Sequence, residues 1–239
     1  MGHALLPNLD DLALARLQFG YFDDFTSFVT GDEFTDTSAD TGAAVAMTDA
    51  VGGVVTLTTG ATDNNECYLL GTKEVLLIAA NKPIVFETRL KYTEANTDDA
   101  NVAAGFMNAV AADSIVDNGA GPKTNYSGAC FYKVDGGTTW IAQVSDGTTQ
   151  TAVTLSAANS LTKTKQTPGG GTYQTLRIEC VPISSTIARF SFWIDGLLVQ
   201  VIETTYASAT EAMAFVGVKA GDTNSEVVSV DYIGYAQRR

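Results

Sequence analysis

Histidine is almost absent from this 239-residue chain, and cysteine is scarce. The single histidine is His3, so the remainder of the chain has no imidazole base for a Ser-His-Asp or Cys-His relay. Three cysteines cannot pair completely, and Cys67, Cys130 and Cys180 lack the paired spacing of a zinc site. We therefore expect no catalytic residues, no metal and no cofactor, with Cys130 and Cys180 as buried free thiols.

Basic residues are fewer than acidic ones, and long hydrophobic runs are absent. The 27 acidic and 14 basic residues give a net charge of −13, which repels phosphate backbones and anionic membranes. No run approaches the roughly 20 apolar residues of a membrane span, and we expect no secretory signal in the first 20 residues. The negative charge fits simple solubility, and it also fits a surface complementary to a basic protein.

Alternation of apolar and polar side chains predicts many β-strands. It is clearest in residues 84–92, 173–181 and 187–203, which we place in central strands. Asp195-Gly196 between two apolar runs predicts a hairpin. Dense turn signals elsewhere indicate antiparallel meanders. We predict one all-β domain over residues 20–239, an antiparallel two-sheet jelly-roll sandwich. Further strands are expected at 20–28, 53–58, 102–107, 127–134, 138–145 and 149–155. Short apolar segments lie at 66–70 and 75–79, a polar stretch at 30–52 and a long loop at 108–126.

Residues 1–19 differ from the rest and predict an N-terminal arm with a short helix. Asn8 can cap this helix, and Gly20 can close it. A helix of roughly 11 residues is marginal alone and needs a surface to pack on. The arm could dock on its own sandwich or reach a neighbouring subunit. The candidate contact residues form an apolar strip: Leu5, Leu6, Leu9 and Leu12.

Several segments, in order, resemble the concanavalin A-like (laminin-G-like) jelly-roll superfamily. They are Phe22-Asp23-Asp24-Phe25, Thr175-Leu176-Arg177-Ile178-Glu179, Phe192-Trp193-Ile194-Asp195-Gly196 and Val230-Asp231-Tyr232-Ile233. Within that superfamily the chain resembles tailed-bacteriophage virion proteins of the head-decoration, or cement, kind. Further segments that carry this resemblance are 57–66, 82–91 and 131–137.

The phage resemblance implies a function and a location. It implies a non-catalytic protein on the outer capsid surface of the virion, made in the host cytoplasm. Its partner would be the major capsid protein, and the chain would form a homo-oligomer, with a trimer favoured. Neither the alternation nor the charge shows these properties.

The fold also hosts glycoside hydrolases, which place paired carboxylates on one strand in an E-x-D-x-E arrangement. This chain has no such motif, and its strand acids are isolated: Glu87, Glu179, Glu203 and Asp231. We therefore expect no enzyme activity. Lectins of this fold bind calcium, and Asp63-Asn64-Asn65-Glu66 is a cluster of oxygen ligands, but turn chemistry explains it without metal.

The alternative function is a lectin-like carbohydrate-binding module, for example for host attachment. Trp140 and Trp193 are its candidate glycan-stacking residues. Trp193 is out of phase with Phe190 and Phe192 and is expected on the opposite sheet face. A second buried layer or a subunit interface is the simpler explanation for that face.

Overall fold

The computed structural model describes residues 17–37, 40–94, 96 and 99–239. Every element that lies wholly within these residues is a strand. Within these residues no helix has the length and apolarity needed to cross a membrane. The strands are β1 (Gln18–Asp23), β2 (Phe34–Thr37), β3 (Ala44–Thr48), β4 (Val54–Thr58), β5 (Glu66–Gly71), β6 (Leu76–Ile78), β7 (Ile84–Thr93), β8 (Asn101–Met107), β9 (Ile115–Val116), β10 (Gly121–Pro122), β11 (Ser127–Lys133), β12 (Ile141–Asp146), β13 (Gln150–Thr154), β14 (Gln174–Pro182), β15 (Ile187–Ile194), β16 (Leu197–Thr205), β17 (Thr210–Lys219) and β18 (Val227–Arg238).

Two large antiparallel sheets form the sandwich. Sheet A has the order β16-β15-β14-β7-β18-β4-β3, with β1 also paired to β18. Sheet B has the order β13-β12-β11-β8-β17-β5-β2, with β6 also paired to β17. The inward residues of both sheets make one apolar core, in which Phe192 of sheet A packs edge-on against Phe131 of sheet B. The predicted all-β two-sheet sandwich is confirmed.

The strands predicted to be central are largely confirmed, with one correction. β7 and β14 lie inside sheet A, and β15 pairs with β14 on one side and β16 on the other. The predicted hairpin joins β15 to β16, with φ of 49° at Asp195 and 77° at Gly196. Two positive φ values match the right-handed twist of the hairpin. Because this hairpin divides residues 187–203, β16 becomes an edge strand, and its placement at the centre was wrong.

The N-terminal boundary also needs correction. β1 begins at Gln18, which pairs with Arg238, so the last predicted arm residues are strand. Gly20 lies within β1 and closes no helix; a Cβ there would meet the Tyr235 carbonyl oxygen at 2.7 Å. Pairing with β18 satisfies the backbone N–H and C=O groups of residues 18–23, which favours a strand there. The described residues give no support to a helical arm, and Leu5, Leu6, Leu9 and Leu12 lie outside them.

Residues 108–126, here called the strap, cover the outer face of sheet B. The predicted loop holds the short β9-β10 pair, and it buries a second apolar cluster against β5, β8, β11 and β17. Tyr68, Tyr126 and Phe215 are fully buried in this cluster. Ile115 of the strap packs into it as well. The outer face of sheet B is therefore closed, whereas that of sheet A carries no such cover among the described residues.

A buried lysine fastens the strap. The Lys219 side chain on β17 is 1% exposed, and its Nζ lies 3.0 Å from Asp113 Oδ1 and 2.5 Å from Asp117 Oδ1. It also donates to the Ile115 carbonyl and lies 3.3 Å from the carboxylate of Glu66 on β5. Burial by itself would lower the pKa of Lys219, but the hydrogen bonds to Asp117 and Asp113 outweigh burial and raise it. Lys219 therefore stays charged and holds the strap on the sheet.

This arrangement predicts a large stability effect at Lys219. Lys219→Met keeps the aliphatic stem but leaves the buried Glu66 carboxylate without its cation, which should lower the free energy of unfolding by about 3 kcal/mol. The matched control is Arg189→Met, which breaks a pair with Glu203 whose side chains are 54% and 49% exposed. That change should cost less than about 1 kcal/mol. Urea unfolding measures both free energies, and equal small losses of stability would show that Lys219 does not fasten the strap.

Candidate functional site

The outer face of sheet A carries a row of polar and aromatic side chains across three strands. In the register, Glu87 of β7 lies opposite Arg177 of β14, and Arg177 lies opposite Trp193 of β15. The inward neighbours on these strands are buried, and all are apolar except Thr88. Since adjacent strands are about 4.8 Å apart, Glu87 and Trp193 flank Arg177 within reach of one small ligand.

This row borders a pocket of about 410 Å³. The volume is within the range of small-molecule sites, roughly 300–1,000 Å³. Trp193 is partly exposed, and its indole Nε1 is shielded from solvent with no acceptor among the described residues. The site thus combines an aromatic side chain with charged groups in one concavity. The lining residues are Glu87, Thr175, Arg177, Glu179, Trp193, Asp195 and Gly196.

Ion pairs and hydrogen bonds fix the charged groups of the pocket. Arg177 donates from Nε to Glu179 Oε1 at 2.8 Å, and its Nη2 lies 2.6 Å from the same oxygen. Its Nη1 lies 3.6 Å from Glu87 Oε2. The Tyr232 hydroxyl donates to Glu87 Oε1 at 2.8 Å. Burial first, and then the bond to Glu87, raise the pKa of Tyr232, so its proton stays in place.

The β15-β16 turn supplies the remaining wall. The Asp195 backbone N–H donates to the Thr175 carbonyl at 2.9 Å, and Asp195 Oδ1 accepts from the Thr175 N–H at 2.8 Å. These two bonds tie the turn to the end of β14. Asp195 therefore has two roles: its backbone shapes the hairpin, and its carboxylate lies at the rim of the pocket.

Aromatic and basic side chains extend this face beyond the pocket. The Arg89 guanidinium lies 4.4 Å and the Lys91 ammonium 4.9 Å from the centre of the Tyr173 ring. Arg89 also pairs with Asp231. Contacts of this kind hold long side chains in place at a small gain in free energy. The outer face of sheet A is therefore an ordered polar surface.

The structure separates the two tryptophans. Trp193 lies on the outer face, opposite to Phe190 and Phe192 in the core, as its phase predicted. Trp140 is fully buried against Phe131, and its Nε1 donates to Gln174 Oε1 at 3.0 Å. Trp140 is therefore corrected to a core residue that no glycan can stack on. A role for Trp193 in glycan stacking stays a prediction.

Sequence reasoning treated Glu87 and Glu179 as isolated, but the structure brings them together around Arg177. The alternation is a local pattern, and only the β7-β14 register shows that the two strands are neighbours. Asp195 was noticed for its turn and missed as a pocket residue. Each of these positions lies in a recognisable local sequence pattern, but such a pattern does not reveal how strands far apart in the sequence pair.

The thiols and the suggested calcium cluster have structural roles. Cys67, Cys130 and Cys180 are buried and free, and burial raises the pKa of each thiol to about 12. Asn64 adopts a φ of 65° in its turn, and its Oδ1 accepts from the Asn118 N–H of the strap. Among the described residues no group of three or more His, Cys, Asp or Glu side chains could hold a metal ion.

Comparison with known proteins identifies the type of fold. No known protein family matches the sequence, and no curated protein does. The endo-β-1,4-glucuronan lyase of the fungus Trichoderma reesei superposes with a TM-score of 0.61 at 12% identity, covering 90% of this chain and 94% of the lyase. The carbohydrate recognition domain of Emp47p gives 0.57 at 10% identity, with 90% and 93% covered. The β-glucanase of Bacillus licheniformis gives 0.57 at 12% identity, with 90% and 97% covered. These similarities show that the chain has a concanavalin A-like jelly-roll fold.

Proposed function

We propose that the protein is a non-catalytic carbohydrate-binding module whose ligand lies on the outer face of sheet A. The observation that carries the proposal is the partly exposed Trp193 in one pocket with Glu87, Arg177, Glu179 and Asp195. A sugar ring has an apolar face that can pack on an indole, and its hydroxyls exchange hydrogen bonds with carboxylates and guanidinium groups. The similarity to a carbohydrate recognition domain supports this ligand class.

Two features favour binding over catalysis. The first is that Glu87 and Glu179 both contact Arg177 in the pocket. A retaining or inverting hydrolase needs one carboxylic acid to give up a proton and a second group to attack or to activate water. Here both acidic side chains are instead paired with a single guanidinium. The second feature is that the strap fills the outer face of sheet B, so that face is closed to a substrate.

The pocket predicts that glycan binding depends on Trp193. Trp193→Ala should weaken binding of oligosaccharides on a glycan array, and in calorimetry, by about thirtyfold, the effect of losing a central aromatic contact of ~2 kcal/mol. Ile187→Ala is the matched control, since Ile187 is an exposed apolar residue on the outer face of the same strand. Equal binding by all three proteins would contradict this site.

The same material tests the absence of catalysis. Pure protein should release no reducing ends from β-glucan. Cleavage that Glu87→Gln or Glu179→Gln abolishes would show an enzyme instead.

Capsid decoration is the second candidate, in which the chain binds the major capsid protein as a homo-oligomer, with a trimer favoured. Its basis is the sequence resemblance, and nothing in the comparisons bears on it specifically. One structural observation favours a protein contact near the arm. Leu17 is 57% exposed just before β1 begins, and it lines a groove of about 360 Å³ together with Pro83, Val85 and Ala236. Apolar residues gathered at one edge are typical of an interaction surface.

This candidate predicts an effect of truncation. A chain that begins at Leu17 keeps all of β1 and should retain the sandwich, because Gln18 and its neighbours pair with β18. If the arm binds capsids, the truncated chain should lose its oligomeric state or its capsid occupancy. Light scattering and co-sedimentation with purified heads measure these two properties. Decoration equal to that of the intact chain would place any interface on the sandwich itself.

A further inference from the structure

The pocket on sheet A has an excess of negative charge. Glu87, Glu179 and Asp195 face a single cation, Arg177, which gives the lining a net charge of −2. No lysine lines it. A ligand that fits this pocket should therefore bring positive charge as well as hydrogen-bond donors.

The hydrogen bonds inside the pocket leave acceptors unused. The bonds from Arg177 to Glu179 end on Oε1, and the bond from Thr175 to Asp195 ends on Oδ1. The second oxygens of Glu179 and Asp195 have no donor among the described residues. Arg177 is already engaged by two carboxylates. The charged groups of the site thus offer acceptors and have little free donor capacity of their own.

We infer that this pocket binds a sugar with a free, protonated amino group, such as a glucosamine unit of a polysaccharide. The inference rests on the proposed carbohydrate-binding function and specifies its ligand. The ammonium group would donate to the free oxygens of Glu179 and Asp195, while the apolar face of the ring packs on Trp193. A cation beside an indole also gains from the charge distribution of the ring.

An amino sugar fits these groups better than a basic peptide does. Its ammonium is fixed on the ring that stacks on Trp193, so charge and apolar face arrive together. A lysine ammonium sits at the end of a flexible stem and loses more conformational freedom on binding. The chain-wide charge of −13 attracts any cation, so the test must separate the pocket from this general field.

The experiment compares glucosamine oligomers with their N-acetylated counterparts of equal length by calorimetry, at mildly acidic pH and moderate salt. Acetylation removes the charge and retains the ring. The intact protein should bind the free amines about tenfold more tightly, the order expected for one hydrogen bond to a charged group. Asp195→Asn should abolish most of this preference. Asparagine tolerates the positive φ of 49° and keeps an oxygen for the Thr175 N–H, so the turn is retained.

Asp49→Asn is the matched control, because Asp49 is exposed, follows β3 at the other end of sheet A, and gives the same change of charge. It should leave the preference for free amines unchanged. Equal binding of both oligomers, with Trp193 still required, would overturn the inference and leave the carbohydrate-binding function intact. Equal losses in the two Asp→Asn variants would overturn it as well, by showing general charge attraction. Binding of oligolysine in place of amino sugars, dependent on Trp193 and Asp195, would also refute it. Failure of every glycan to bind would refute the proposed function itself.

Discussion

The register of β14 between β7 and β15 determines the outer face of sheet A. It places Glu87, Arg177 and Trp193 in one row, while their inward neighbours fill the core. A shift of one residue would turn the core side chains outward and bury the charged ones, which costs far more than any single contact in the pocket. The apolar core therefore fixes the geometry of the pocket. The Asp195 turn then closes one side of it.

The two outer faces of the sandwich differ in whether they are covered. On sheet B, Lys219 and its carboxylate partners fasten the strap over an apolar and aromatic cluster. A buried cation tolerates such a position only when several acceptors surround it, and here the strap supplies three of them: Asp113, Asp117 and the Ile115 carbonyl. Sheet A keeps its charged groups at the surface, where a ligand can reach them. Under the proposed function, the covered face of sheet B leaves the outer face of sheet A for ligand binding.

Much of the fold could be predicted from the sequence because its signals are local. The alternation in β7 and β14, the Asp195-Gly196 hairpin and the outward phase of Trp193 depend on neighbouring residues alone. β2 and β3 were missed in a polar stretch, since strands at sheet edges need little apolar content. The pocket could not be predicted, because it requires the pairing of β7 with β14, which are far apart in sequence.

The central claim is that sugars bind beside Trp193 on the outer face of sheet A. The chain has two tryptophans, so a ¹⁵N-labelled sample should give two indole N–H signals, one from Trp193 in the pocket and one from buried Trp140. Titration with a glucosamine oligosaccharide should shift the Trp193 signal and leave that of Trp140 in place. If saturating ligand moves neither signal, or moves only that of Trp140, the binding surface is not the one described here.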